Sequence, residues 1–107
     1  MAVIEWKTEA WQLYNDYLEN ARLAYGKKTA CRWEKELLQI YDRLKLFPTS
    51  YPPEELLQGS MILYRRCSMM NRRFKLIYSY DEVNDTIHIL DVWDTKMNPK
   101  ALVRRIK

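Results

Sequence analysis

The chain has 107 residues, of which 48% are apolar and 30% charged, and its formal net charge is +4. That length makes one domain able to bury a core without a metal or disulfide staple, and that balance excludes a disordered chain. No run approaches membrane-spanning length and the opening MAVIEWKTE is not a secretory signal, so the expectation is a soluble cytoplasmic protein with no membrane partner.

Residues 2–7 read as a short strand with Ile4 and Trp6 on one face. Thr8 is the expected N-cap of a helix whose apolar stripe runs Trp11, Tyr14, Leu18, Ala21 and Tyr25. Gly26 ends it, with Lys27 and Lys28 placed for the negative end of its dipole. A second stripe, Ala30, Trp33, Leu37, Ile40, Tyr41 and Leu44, predicts another helix that stops by Phe47, ahead of Pro48. A short turn between two amphipathic helices makes an antiparallel α-hairpin, and aromatics at this spacing belong to its core. Residues 48–60 form an irregular connector, with one helical turn expected where Pro52-Pro53 precedes Glu54-Glu55-Leu56-Leu57.

Gly59 releases the chain into a strand over residues 61–67, and 68–71 turn it back. Phe74, Leu76, Tyr78 and Tyr80 then alternate with Lys75, Ile77 and Ser79, the two-residue period of a strand. Asp81 to Asp85 carries turn chemistry, with its corner at Asn84-Asp85. Residues 86–93 are apolar at both parities, which predicts a central strand covered on both faces. Asn98-Pro99 supplies the N-cap and first-turn proline of a closing helix. The expected fold is therefore α+β and spans 1–107 as one domain. Its order is β-α-α-β-β-β in two layers, with an antiparallel sheet, the α-hairpin on one face and a short C-terminal helix. The first strand joins either the sheet edge or its middle.

Most familiar catalytic motifs are absent. His88 is the only histidine, which excludes a histidine-based metal cluster, and no metal or cofactor is expected. Cys31 and Cys67 read as reduced, partly buried thiols. The charge is uneven. Residues 1–64 hold 8 Lys+Arg and 9 Asp+Glu, whereas residues 65–107 hold 10 and 5. The cations of the second part form two acid-free blocks, Arg65, Arg66, Arg72, Arg73, Lys75 and then Lys96, Lys100, Arg104, Arg105, Lys107. A three-strand meander brings residues 66, 72 and 94 to one end of the sheet, so both blocks are expected to converge on one rim. The candidate target-binding residues are Arg65, Arg66, Arg72, Arg73, Lys75 and Lys96. Such a rim can clamp phosphates bidentately or dock the carboxylates of a protein. With a 2′-hydroxyl present, a Lys and an Arg of such a rim can promote metal-free RNA cleavage. Tyr64, Tyr78 and Tyr80 can stack bases, although strand aromatics more often fill a core. A merely solvated surface is the competing reading of the same charges.

The element order, the strand RRFKLIYSYDE and the ending ILDVWDTKMNPKAL together resemble the RelE/ParE toxin superfamily of type II toxin–antitoxin modules, also known as plasmid stabilisation modules. The resemblance covers nearly the whole chain. Its most specific parts are RFKLIY and VWDTKMNPKAL, the latter similar to the DTRQNPKKL ending of many members. It implies a RelE-like fold and a bacterial growth-inhibiting toxin silenced by a cognate antitoxin. One branch of the family cleaves mRNA on the ribosome without metal, and another poisons DNA gyrase without a nuclease site. The nuclease branch's strand arginine falls by position on Lys75, with Arg73 and Arg72 beside it, and its basic residue after the last strand falls on Lys96, so the resemblance makes Lys75, Arg73 and Lys96 the catalytic candidates. That branch often has a tail tyrosine, and no tyrosine follows Tyr80 here. Whether the chain is an enzyme, a gyrase poison or a non-catalytic nucleic-acid- or protein-binding module on the same fold stays open at this point.

Overall fold

The computed structural model describes residues 1–106, so Lys107 of the second basic block lies outside them. Strand β1 (Val3–Trp6) is followed by helices α1 (Thr8–Tyr25) and α2 (Lys27–Leu46). A 3-10 turn (Glu55–Leu57), strands β2 (Tyr64–Met69), β3 (Phe74–Asp81) and β4 (Thr86–Asp94), and helix α3 (Pro99–Ile106) complete the chain. The class is α+β, and the element order is the one the hydrophobic periods predict. Among these residues no helix is long and apolar enough to cross a membrane.

The sheet runs β1-β4-β3-β2. β2, β3 and β4 form the expected antiparallel meander, but β1 lies at the edge and pairs with β4 in parallel, with Ile4 beside Ile87 and Trp6 beside Ile89. The sheet is therefore mixed rather than wholly antiparallel. The two long helices between β1 and β2 carry the chain across one face, so a parallel edge pairing needs no tight turn.

The helices cover one face. Tyr14, Leu37, Ile40 and Leu44 pack there against Leu76, Tyr78, Ile87, Ile89 and Val92. Trp6 Nε1 donates to the Tyr41 hydroxyl at 2.5 Å and packs on Trp11. That contact sets the start of α1 beside the end of α2, the antiparallel hairpin that two stripes and a short junction demand. The opposite face is covered by α3 and the 3-10 turn, where Leu57, Ile77, Trp93 and Leu102 form a second cluster. A bulge opposite Ile77 and Tyr78, with Leu90 as the extra residue, explains how β4 serves both. Before it, Ile87 and Ile89 face the hairpin. After it, Val92 does so while Asp91 and Trp93 turn to α3.

Several local expectations shift. Lys7, not Thr8, is the N-cap of α1, and no side chain caps it. Gly26 alone separates the two helices, so Lys27 and Lys28 open α2 instead of trailing α1. β2 begins three residues later than expected, because Met61, Ile62 and Leu63 are exposed and unpaired. It continues through Ser68 and Met69, and the reversal falls on Met70, Asn71 and Arg72, all with positive φ. Asn98 Oδ1 does accept the Lys100 N–H at 3.0 Å and starts α3 as expected. Cys67 is buried, but Cys31 is exposed.

Candidate functional site

The end of the sheet where β3 begins and β4 finishes is built by backbone pairing. Phe74 lies opposite Asp94, and the Thr95 N–H donates to the Arg73 carbonyl at 3.0 Å. Thr95 Oγ1 closes the junction by donating to the Arg72 and Arg73 carbonyls at 3.2 and 2.8 Å. This brings Arg72, Arg73 and Lys96 together, as the meander argument requires. The reversal before them is strained. Met70, Asn71 and Arg72 adopt φ of 52°, 55° and 67°, each disfavoured for a residue with a Cβ. Glu36 of α2 holds the turn from behind, accepting the Met70 N–H at 2.7 Å.

Arg65 and Arg66 do not join that cluster. They open β2 instead of closing it, opposite Tyr78 and Ile77, about three residues, or roughly 10 Å, from the turn. Successive side chains point to opposite faces, so the two part company. Arg65 donates to the Tyr51 carbonyl at 2.7 Å on the hairpin side. Arg66 reaches the Pro53 carbonyl on the α3 side.

Carboxylates engage three of the remaining cations, Lys75, Arg73 and Arg105. Lys75 Nζ lies 3.2 Å from Glu54 Oε1, and Arg66 Nε lies 4.0 Å from its other oxygen. Glu54 is only 2% exposed, so this ion pair is desolvated and structural. Arg73 makes a forked contact with Asp94, its Nε at 3.1 Å and its terminal nitrogen at 3.4 Å. Burial works against the charge on Asp94, yet the Lys96 N–H and the Arg73 guanidinium hold its carboxyl below the ordinary value of 3.8. Asp91, buried at β4, pairs with Arg105 of α3, which also lies over the Trp93 ring at 5.2 Å. There burial wins and pushes the Asp91 carboxyl up despite Arg105. Among the described residues Arg72, Lys96, Lys100 and Arg104 are exposed and carry no ion pair.

The two basic blocks thus meet at one shared acid, Asp94 between Arg73 and Lys96, while Asp91 pairs with Arg105 within the second block, and the meeting point is less positive than their sequence suggests. The tyrosines have structural work. Tyr78 is fully buried, donates to the Pro48 carbonyl at 2.8 Å, and burial pushes it up to about 12. Tyr80 donates to Asp85 at 2.6 Å, and Tyr64 packs on the Leu57 cluster. His88 Nδ1 sits 3.6 Å from Glu5 at the sheet edge, away from the cluster.

A feature the sequence does not announce borders the rim. A cleft of about 530 Å³ opens between the α1–α2 junction and the β2–β3 reversal, with Tyr25, Arg32, Trp33, Asn71 and Arg73 among its walls. Only the fold places Arg32 within reach of Arg73, and a gap of more than three dozen residues hides that in the chain.

Compared with known proteins, the chain matches no family model and no curated relative.

Proposed function

We propose that the chain is the toxin of a type II toxin–antitoxin module of RelE/ParE type, that it binds its target through Arg72, Lys96 and their neighbours, and that it does not cleave RNA. The sequence likeness across RFKLIY and VWDTKMNPKAL supports the family, and the β-α-α-β-β-β order with a closing helix is compatible with a RelE-like fold. The observation that carries the mechanism is the engagement of Lys75 by the buried Glu54 and of Arg73 by Asp94. A general acid or base must be free to exchange a proton with the substrate, and a cation already neutralised stabilises a developing phosphorane poorly. Of the three catalytic candidates only Lys96 is left exposed and without an ion pair among the described residues. Of the two targets the likeness implies, DNA gyrase fits this arrangement better than ribosome-bound mRNA. An antitoxin would cover the exposed cations. A growth-neutral binding module is the alternative on the same geometry.

Induction in a bacterium separates these readings. Growth should stop, plasmid supercoiling should change before amino-acid incorporation falls, and co-expression of the adjacent reading frame should restore growth. The double variant Arg72→Glu/Lys96→Glu should fold normally and permit growth. Cells that grow normally with abundant wild-type protein would refute the toxin reading, and immediate cleavage of mRNA would refute the binding mechanism.

A further inference from the structure

We propose that the N-terminal half of α2 and the adjoining cleft form a second surface that binds one strand of nucleic acid, its phosphates along Lys27, Lys28, Arg32 and Lys35 and a base in the cleft beside Tyr25. On a helix these four positions fall within about 140° of the circumference and about 12 Å of its length. All four side chains are exposed, and among the described residues none forms an ion pair. No acid occurs between Glu19 and Glu34, and the first turn of α2 contains none. Glu34 and Asp42 border the arc without pairing with it.

Lys27 and Lys28 stand where the end of α1 meets the start of α2 across Gly26, so the two helix dipoles act on them with opposite signs. The charge alone suits any polyanion, and the cleft decides between them. Arg32 lines both the lysine groove and the cleft, so the two surfaces are continuous. The cleft's volume of about 530 Å³ lies in the range of small-ligand sites. Tyr25 is 76% exposed at its mouth, free to stack on a planar ring, and Trp33 forms a second aromatic wall. Arg73 faces it from the β2–β3 side, while the carboxylate of Glu36 is turned into the Met70 N–H. An acidic peptide would use the lysines and leave an aromatic cleft empty. A duplex would keep its bases stacked and out of reach. An unpaired base on a flexible strand uses both features. The site adjoins the rim at Arg73, but its four phosphate contacts and Tyr25 lie on the helices, so its test does not depend on the toxin reading.

The test is fluorescence anisotropy on the full chain with short labelled oligouridylate and oligothymidylate, over a range of salt. The wild type should bind both single strands, with a log–log salt slope of about −3 for four phosphate contacts. Lys27→Glu/Lys28→Glu should weaken binding at least tenfold and reduce that slope by about 1.4 while the circular dichroism spectrum stays unchanged. Tyr25→Ala should lose affinity with the slope unchanged, whereas Lys35→Glu, a full two turns along the helix, reads the same surface if the double variant folds poorly. Unchanged binding in the lysine variants overturns the proposal. So does an absence of wild-type binding, equal affinity for a duplex of the same length, or displacement of the oligonucleotide by poly-glutamate as readily as by unlabelled strand.

Discussion

Glu54 decides what the basic residues can do. It is buried, accepts the Leu56 N–H at 3.3 Å, and faces both Lys75 and Arg66. Removing one partner from a buried pair costs more than the pair contributes, because the remaining charge has no solvent to turn to. Lys75→Met should lower stability by about 3 kcal/mol, and Lys75→Met/Glu54→Gln should recover most of that loss. A thermal or urea double-mutant cycle measures it, and additive single effects would show that the pair is not coupled. Loss of toxicity in a Lys75 variant should then track loss of folded protein. The two acids at the end of β4 give opposite pH signatures. Asp94 is held below its ordinary value, so its stabilisation is complete above about 3.8 and fades as the pH falls through the folded value. Asp91 is raised by burial, so its stabilising effect belongs to the protonated form and fades as the pH rises above 3.8. Melting curves from roughly pH 3 to 6 should flatten on the acid side in Asp94→Asn and rise more steeply with pH in Asp91→Asn. The same slope in both would contradict these environments.

The elements owe their ends to single residues. Gly26, with φ 94° and ψ 177°, lies in a region open essentially to glycine alone, and it both ends α1 and starts α2. Its N–H bonds the Arg22 carbonyl at 2.8 Å. A Cβ there would meet nothing within 4 Å, so any penalty is backbone strain and not a clash. Gly26→Ala should therefore cost roughly 1–3 kcal/mol while leaving the sheet's near-ultraviolet signature unchanged, and a melt reporting no loss would mean that the helices rejoin by another route. The sequence announces a glycine stop here, but not that one residue suffices, since Lys27-Lys28-Thr29 reads equally well as loop. The Asp81–Asp85 turn was legible for the same kind of reason. Asp81 accepts from the backbone N–H groups of Val83 and Asn84 at 3.1 and 3.3 Å, as its short side chain allows. The reversal at Met70 to Arg72 was not legible in detail. It contains no glycine, and its left-handed backbone is held by Glu36 and Thr95, neither of them local.

At the scale of the molecule, both faces of the sheet are packed, and that follows from β4 carrying apolar residues at both parities. The hydrophobic periods made the hairpin, the meander and the closing helix legible. They could not reveal the parallel edge pairing of β1, because alternation fixes which face a strand buries and says nothing of its neighbour's direction. The convergence of Arg72, Arg73 and Lys96 was legible from connectivity. The engagement of Lys75 and Arg105 was not, because Glu54 and Asp91 look like ordinary surface acids until burial is known. The small cluster under α3 shares β3 and β4 with the large one, for Ile77 lies between Leu76 and Tyr78, and Trp93 follows Val92. The two cores should therefore melt together. Leu102 is fully buried and anchors α3 against Ile77 and Trp93. Leu102→Ala should cost about 3 kcal/mol through lost burial and an unfilled cavity, and helical circular dichroism and tryptophan fluorescence should still report one coincident transition. An early fluorescence change with the helices intact would show instead that α3 detaches from the sheet as a unit of its own.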